Sequence, residues 1–313
     1  MHRDAACRGG RLLAWLQLVR LPNLFTAAAD VAAGFLFTHA VLGWPDALPL
    51  GLLVTASVLL YAAGVVLNDV FDYDVDKSER PERPLPSGRI SVASAMRAGW
   101  TLLACGVGLA GVAGLASGDL RPVIVAAALA GTIVAYNRSL KRTPIGPLAM
   151  GACRGLNLLL GMSLASGAWA APHGLIVAAM TVYVIGVTWF ARTEAEESRR
   201  GHLLLAAVTI LAGLCLLEPL PRWTPDVVAL LALEPERWTL LLTVLAALIG
   251  FRLLKAVVHP SPKMVQEAVR HCILSLIVLD GAICFVVQGL APAALIVLLL
   301  VPATLAGRWI AST

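Results

Sequence analysis

Charged residues are scarce in this sequence: they occupy 14% of the 313 positions, whereas hydrophobic residues occupy 59%. A soluble globular domain contains about 25% charged residues, so this chain has too little charge to cover a surface that faces water. The mean hydropathy of +0.83 agrees with this conclusion. The composition therefore excludes an ordinary soluble domain and predicts an integral membrane protein surrounded by lipid.

Closely spaced cysteines are also absent. The six cysteines contain no CxxC pair, and five of them lie in apolar runs. This pattern excludes a disulfide framework and a cysteine-based metal site, and it favours small buried side chains. The segment from His2 to Gly10 lacks the cleavage pattern of a signal peptide, so we expect the first apolar run to remain in the protein as a helix.

The apolar segments lack the two-residue alternation of membrane barrel strands. A spanning helix needs about 20 mostly apolar residues, and such runs recur along the chain. The sequence predicts an all-α integral membrane protein, a bundle of 9–10 transmembrane helices in a single polytopic domain over residues 1–313, with a possible interfacial helix at 11–20. The predicted spans are 22–42, 48–68, 92–115, 121–137, 147–168, 172–192, 202–220, 237–258, 264–288 and 291–310.

Positive charge is distributed unevenly between the predicted loops. If each span crosses once, the side that holds the N-terminus carries 20 Lys and Arg residues, and the other side carries three, Arg121, Arg222 and Arg237. Lys and Arg accumulate in cytoplasmic loops, so the richer side is predicted to face the cytoplasm from the cell inner (plasma) membrane. This distribution accounts for the net charge of +5 without a nucleic-acid partner.

One asparagine and four aspartates are concentrated where the second predicted span ends, at Asn68, Asp69, Asp72, Asp74 and Asp76. If the helix continues there, Asn68, Asp72 and Asp76 recur on one face, and Asp69 can join them. Stacked like charges repel unless a cation neutralises them, and Mg²⁺ is usually bound by one or two carboxylates together with substrate phosphates. The spacing predicts a metal-bridged diphosphate site, with a solvated acidic loop as the alternative.

The acidic cluster resembles the first aspartate motif, NDxxDxxxD, of the UbiA prenyltransferase superfamily. Other segments are similar to this family in the same order along nearly the whole chain. Residues 20–23 resemble its Arg-Pro-x-Asn entry to the first helix, and residues 83–88 resemble its RPLPSG stretch. Tyr136 and the basic residues that follow it resemble the family's Tyr-and-Lys segment between the fourth and fifth spans.

The family's second aspartate motif, typically DxxxD before a basic residue and Gly, departs from its usual form here. With Gly201 as the anchor, its two positions fall on Thr193 and Glu197, so the first carboxylate is missing and the second is a Glu. Glu194 lies three residues before Glu197, and the two can share a helical face. The stretch TWFARTEAEES, together with the RGLN segment at 154–157, is most similar to the EboC branch of the superfamily.

The resemblance implies an intramembrane prenyltransferase with a central cavity capped by cytoplasmic loops. It implies that a prenyl diphosphate binds through Mg²⁺ with its tail open to membrane lipids, and that an isoprenyl group passes to a small acceptor through an allylic carbocation. The implied metal ligands are Asn68, Asp69, Asp72, Asp76, Glu194 and Glu197. The catalytic candidates among them are Asn68, Asp72, Asp76 and Glu197.

Basic and aromatic residues near the fourth span are candidates for substrate binding. Arg138 and Lys141 are chosen for the diphosphate, with Arg142 in reserve, although each is equally well explained as an ordinary cytoplasmic-loop cation. Tyr136 is expected either to contact a phosphate or shield the carbocation with its ring, or to anchor the helix at the interface.

Asp30, Arg154 and Asp280 lie within predicted spans. Charges are costly in lipid, so they are expected to face a cavity or a partner. Arg154 either orients a polar acceptor together with Asn157 or pairs structurally with Asp30, and Asp280 is expected to be structural. The acceptor stays open between an aromatic and a polyhydroxylated molecule. The functional alternative is a catalytically reduced lipid-binding scaffold or transporter, which the missing carboxylate at Thr193 supports.

Overall fold

The computed structural model describes residues 2–39, 43–192, 200–223 and 234–310, and within these ranges the chain forms helices and no strand. The predicted all-α architecture is confirmed. The helices are α1 (His2–Leu18), α2 (Leu21–Thr38), α3 (Trp44–Phe71), α4 (Tyr73–Glu79), α5 (Val92–Ser117), α6 (Arg121–Arg138), α7 (Gly146–Met162), α8 (Ala171–Ala191), α9 (Arg200–Cys215), α10 (Leu220–Trp223), α11 (Pro235–Val258), α12 (Pro262–Gln288), α13 (Leu290–Leu298) and α14 (Leu300–Trp309). A short 3₁₀ turn, Leu140–Arg142, joins α6 to α7.

Eight segments of the described chain are long and apolar enough to cross a membrane, and they match eight of the ten predicted spans. They are Leu21–Thr38, Trp44–Phe71, Val92–Ser117, Ala171–Ala191, Arg200–Trp223, Pro235–Val258, Pro262–Gln288 and Leu290–Arg308. The two predicted spans 121–137 and 147–168 correspond to α6 and α7, which do not reach the length and hydropathy of the other eight segments. The α7 helix has only 17 residues and contains Arg154 and Asn157, and α6 begins and ends with arginine. Both nevertheless pack within the bundle.

The helix ends follow from local sequence. Helices α2, α3, α6, α7, α8, α11 and α12 have proline in the first two positions, where the missing N–H has no intrahelical partner to lose. Ser91 caps α5 by accepting a hydrogen bond from the Ser94 backbone N–H. Gly118 ends the same helix with φ +67°, a left-handed conformation that glycine adopts without a steric cost.

Two predicted boundaries differ from the structure. Most of the predicted interfacial helix, 11–20, belongs to the longer α1, which begins at His2 and ends at Leu18. This helix buries Ala14 and Leu18, whereas Leu12 is 62% exposed. Only one face of α1 therefore packs against the rest of the protein. The predicted last span, 291–310, is interrupted at Leu299, where α13 ends and α14 begins.

Helices α2 and α7 contact each other through their backbones. A Cβ atom added at Gly34 would lie 2.5 Å from the carbonyl oxygen of Leu158, and one added at Gly161 would collide with the carbonyl oxygen of Val31. Only glycine permits so close an approach, which is a common packing mode of membrane helices. The α12 helix packs against α2 on another side, and these three helices bring their polar residues together inside the bundle.

Candidate active site

A cavity of about 340 Å³ lies between α2, α3, α6, α7, α8 and α12. Its apolar walls come mainly from α6, α8 and α12, and include Leu129, Val187 and Ile273. The polar lining includes Arg20, Asp30, Ser57, Tyr61, Asn68, Tyr136, Arg154 and Asn157. Asn68 marks the end of the cavity where α3 ends, which we call the mouth. The predicted central cavity is therefore present, with a polar mouth and mixed walls.

The acidic cluster lies on a helix that continues past the end of α3. The backbone N–H of Asp72 donates to the carbonyl of Asn68 over 3.0 Å, and that of Asp76 donates to the carbonyl of Asp72 over 2.8 Å. Helical hydrogen bonding thus runs through the junction between α3 and α4, as the four-residue spacing predicts. The junction bends at Asp72, whose backbone angles are φ −97° and ψ 5°.

Lys141 contacts one side of this cluster. Its Nζ donates to Asp72 Oδ2 over 2.6 Å and to Asn68 Oδ1 over 3.1 Å. Arg142 Nη2 donates to the other oxygen of Asp72 over 3.1 Å. The 3₁₀ turn presents these two neighbouring cations to the end of α3, so that the carboxylate of Asp72 is neutralised from two directions.

Arg83 and Arg20 contact the other side of the cluster. Arg83 Nη1 lies 2.7 Å from Asp76 and 3.8 Å from Asp69, and Arg20 Nη2 lies 3.2 Å from Asp69. Asp69, Asp76 and Arg83 are all buried. Arg20 has φ +50° and is the one non-glycine residue with positive φ in the described ranges. The acidic residues are therefore divided between two sets of cations rather than gathered at one point.

Because the acidic residues pair with different cations, they are not all positioned to bind one metal ion. In the part of the chain that the structure describes, no three His, Cys, Asp or Glu side chains form a group able to hold a metal ion. Asn68 Oδ1 and Asp72 Oδ2 do converge on one cationic nitrogen, that of Lys141. An amide oxygen and a carboxylate oxygen suit Mg²⁺, which prefers oxygen ligands and retains waters or phosphates in its other positions. Glu194 and Glu197, with Thr193, lie outside the described residues.

The predicted substrate-binding residues separate into two groups. Tyr136, Arg154 and Asn157 line the cavity, and Lys141 lies at its mouth through its contact with Asn68. Arg138 is exposed and is not part of the cavity lining. Its neighbour Asn137 is buried instead, and donates from Nδ2 to the carbonyl of Gly64 over 2.8 Å.

The deep end of the cavity contains a buried polar cluster. Arg154 Nη2 forms an ion pair with Asp30 and lies 3.4 Å from Asp280 Oδ2. Asn157 Nδ2 donates to Asp30 over 2.9 Å, and Ser57 Oγ donates to Asn157 Oδ1 over 2.7 Å. The structure thus contains the Arg154–Asp30 pair that was one of two sequence-based interpretations. It also places Asn157 beside the cavity, as the other interpretation requires.

The site residues that are missing from the sequence-based prediction include Ser57, Tyr61 and Arg192. Ser57 and Tyr61 lie on the cavity face of α3, eleven and seven residues before Asn68, and this helical spacing was a detectable signal. Arg192 is the third. Its Nη2 donates to the carbonyl of Lys141 over 3.3 Å and also contacts that of Thr143. Arg192 precedes the second motif by one residue, but nothing in the sequence indicates its partner.

Comparison with known proteins connects this arrangement to one family. The model of the UbiA prenyltransferase family matches residues 30–276. A curated relative, the digeranylgeranylglyceryl phosphate synthase of Ignicoccus hospitalis, is 37% identical over 193 residues, which are 61% of this chain and 59% of that protein. The enzyme of the same name from Metallosphaera sedula is 32% identical over 50% of this chain and 53% of its own length. The matched segments therefore span between half and three fifths of the length of these relatives.

Solved structures share the fold. A structure of a digeranylgeranylglyceryl phosphate synthase in membranes superimposes with a TM-score of 0.63 and 22% identity, covering 89% of this chain and 98% of that one. A UbiA homolog from Archaeoglobus fulgidus bound to DMAPP and Mg²⁺ gives a TM-score of 0.56 and 15% identity, covering 86% and 98%. At these identities the similarity establishes the helical architecture.

Proposed function

Because this chain belongs to the UbiA prenyltransferase family, we propose that it transfers an isoprenyl group from a prenyl diphosphate to a small acceptor within the membrane. The observation that carries this proposal is the convergence of Asn68 and Asp72 on Lys141 at the mouth of a largely apolar cavity. Such a site suits a substrate with a polyanionic head and an apolar tail. In this arrangement the apolar tail of the substrate lies next to membrane lipids.

The residues at the mouth would hold Mg²⁺. Asn68 and Asp72 would supply two oxygen ligands, and we propose that Glu194 and Glu197 add a second set. Asp69 and Asp76 would orient the end of α3 and the start of α4 through their ion pairs with Arg83. When bound, the metal stabilises the negative charge that develops on the departing diphosphate. Support comes from the A. fulgidus homolog, which binds DMAPP and Mg²⁺.

The remaining groups act on the substrate directly. Lys141 and Arg142 are placed to donate hydrogen bonds to phosphate oxygens, and these charge-assisted bonds are among the stronger ones. As the allylic C–O bond breaks, its electron pair leaves with the diphosphate, and the acceptor then forms a bond to the allylic carbon and releases a proton. The apolar walls keep water from the carbocation, and the rings of Tyr136 and Tyr61, both on the lining, can stabilise its charge.

We propose that this site faces the cytoplasm from the inner membrane, because of the bias in Lys and Arg between the two sides. The acceptor is aromatic or polyhydroxylated. The curated relatives are named for the synthesis of digeranylgeranylglyceryl phosphate. The similarity of the second motif and of residues 154–157 to the EboC branch favours a hydroxylated acceptor.

Turnover distinguishes this proposal from a lipid-binding scaffold. The protein, reconstituted in lipid nanodiscs, is incubated with prenyl diphosphates of several lengths and a mixture of acceptors, and diphosphate release is measured together with the mass of the product. We expect release that needs Mg²⁺ and stops on chelation. The double substitution Glu194→Gln and Glu197→Gln should silence release in folded protein. A wild type that binds prenyl diphosphates but never releases diphosphate would establish the scaffold.

A further inference from the structure

We infer that the deep end of the cavity selects a neutral, hydroxylated acceptor and rejects one that bears a phosphate or carboxylate. This inference rests on the proposed function and specifies its second substrate. The group that carries it, called the polar floor here, consists of Ser57, Asn157, Arg154, Asp30 and Asp280. The first four of these line the cavity, and Asp280 lies behind them in contact with Arg154.

The positive charge of the polar floor is already neutralised. Asp30 and Asp280 are fully buried, and Arg154 is 8% exposed. A single guanidinium nitrogen of Arg154 contacts both carboxyl groups, so neither its charge nor its main donor is available to an anion. Among the described residues of the cavity lining, the other basic side chain is Arg20, which is paired with Asp69.

The two carboxyl groups share this one guanidinium, and within the described ranges neither forms an ion pair with any other basic side chain. The polar floor therefore has no positive charge in excess of its own carboxyl groups. An anionic acceptor would bring an unpaired charge into this buried site beside a carboxylate, and an uncompensated buried charge is strongly disfavoured.

The polar floor still offers hydrogen bonds to a neutral ligand. Within the described ranges, Arg154 Nε has no hydrogen-bond partner, and Asp30 Oδ1 has only its ion pair with Arg154. Both residues line the cavity, so one donor and one acceptor position are left unused. Ser57 and Asn157 add a hydroxyl and an amide. A hydroxyl group both donates and accepts, so a molecule with several hydroxyls complements this set better than an aromatic ring with one.

The height of the cavity limits the size of the acceptor. On α3, Asn68 lies about 16 Å above Ser57, and Tyr61 lies about 6 Å above it, at 1.5 Å per residue. The diphosphate head and the allylic carbon occupy the part nearest Asn68. The space between the level of Tyr61 and the polar floor therefore accommodates a compact polyol rather than an extended chain.

The test uses a matched pair of probes, inositol and inositol monophosphate, with the full-length protein in nanodiscs. Binding is titrated in the presence of Mg²⁺ and an unreactive prenyl thiodiphosphate, which occupies the mouth and keeps the phosphate probe from binding there. We expect inositol to bind the wild type at least tenfold more tightly than its monophosphate. Equal or tighter binding of the monophosphate, or no binding of either probe, would overturn the inference.

Two variants sharpen the test. The substitutions Asp30→Asn and Asp280→Asn together keep the shape of the floor and free the guanidinium, so the preference should reverse toward the monophosphate. Ser57→Ala removes one hydrogen bond and should weaken inositol binding about tenfold without changing the affinity for the thiodiphosphate. Ser117→Ala, at the far end of α5, is the matched control and should change neither value. If the Asn variant keeps the wild-type preference, charge at the floor does not select the acceptor.

Binding is measured without turnover, so the two proposals can fail separately. Absence of diphosphate release with every acceptor would refute the proposed function, while the probe titrations would still decide the chemistry of the floor. Release with an anionic acceptor at or above the rate with its neutral counterpart would preserve the proposed function and refute this inference.

Discussion

Lys141 Nζ lies 2.6 Å from Asp72 Oδ2, although 69 residues separate the two in the chain. The contact joins the end of α3 to the turn that follows α6, and it places a mobile ammonium where a metal ion would need the same carboxylate oxygen. Lysine is a compact charge on a flexible stem, so it can release this oxygen to the metal and move to a phosphate oxygen nearby. Together with Arg142, Lys141 keeps the half-buried carboxylate of Asp72 neutralised before substrate binds.

Asp72→Asn should abolish Mg²⁺-dependent binding of a prenyl thiodiphosphate, because the amide cannot neutralise the metal. We expect turnover to fall by about 100-fold or more, the size of one strong electrostatic contact. Asp74→Asn is the matched control, because Asp74 lies only two residues further along, in α4, and is exposed. Equal losses in the two variants would show that the effect is one of general surface charge.

Arg192→Ala should raise the KM for prenyl diphosphate, because Arg192 contacts the backbone carbonyls of Lys141 and Thr143 and holds the turn that presents Lys141. Gly146 permits this approach, since a Cβ atom there would lie 2.5 Å from the Arg192 guanidinium. Arg192→Lys should restore part of the affinity. Steady-state kinetics with the acceptor at saturation would measure the change, and an unaltered KM would remove Arg192 from this positioning role.

Arg154→Met should lower the free energy of unfolding by about 3–5 kcal/mol, because it leaves the two buried carboxyl groups without their cation. The comparison is Arg237→Met, which breaks the exposed pair between Arg237 and Glu234 and should cost less than about 1 kcal/mol. Denaturation in mixed micelles would measure both. Similar values for the two variants would mean that Arg154 has no stabilising role.

Gly34→Ala should destabilise the bundle by about 1–3 kcal/mol, a typical cost of overpacking, because the added methyl meets the Leu158 carbonyl at 2.5 Å. Gly131→Ala provides the contrast. No atom lies within 4 Å of its added methyl, so the better helix propensity of alanine should leave stability equal or slightly higher. The same unfolding assay separates these outcomes.

The proposed orientation can be tested with single cysteines on a cysteine-free background. Asp74→Cys should react with an impermeant thiol reagent only in inside-out vesicles, and Leu120→Cys only in right-side-out vesicles, because they lie at opposite ends of the bundle. Both positions are exposed. Labelling of Asp74→Cys from the outside would reverse the orientation.

Composition and helical spacing predicted most of the fold. The long apolar runs matched eight described spans closely, because lipid enforces both the length and the helical state of such segments. Helices α6 and α7 departed from this measure since they carry polar residues toward the cavity, among them Asn137, Arg154 and Asn157. Their polarity reflects the site rather than the bilayer.

The site was less predictable than the fold. Helical spacing identified the continuation of α3 through Asp72, but it could not show that Arg83 binds Asp69 and Asp76 while Lys141 binds Asp72. Nor could it distinguish Arg138, which is exposed, from Lys141, three residues later. These outcomes depend on where distant turns meet, which local spacing does not encode.

The glycine contact between α2 and α7 has a consequence for how new specificities can arise in this scaffold. Asp30 lies near one side of the contact, and Asn157 near the other, and there is no side chain between the two backbones that could be exchanged to shift one helix relative to the other. The distance between these two polar groups is therefore fixed by the packing of α2 against α7. Divergence toward another acceptor has to proceed by replacing the polar residues themselves, and through intermediates in which a buried charge temporarily lacks its partner.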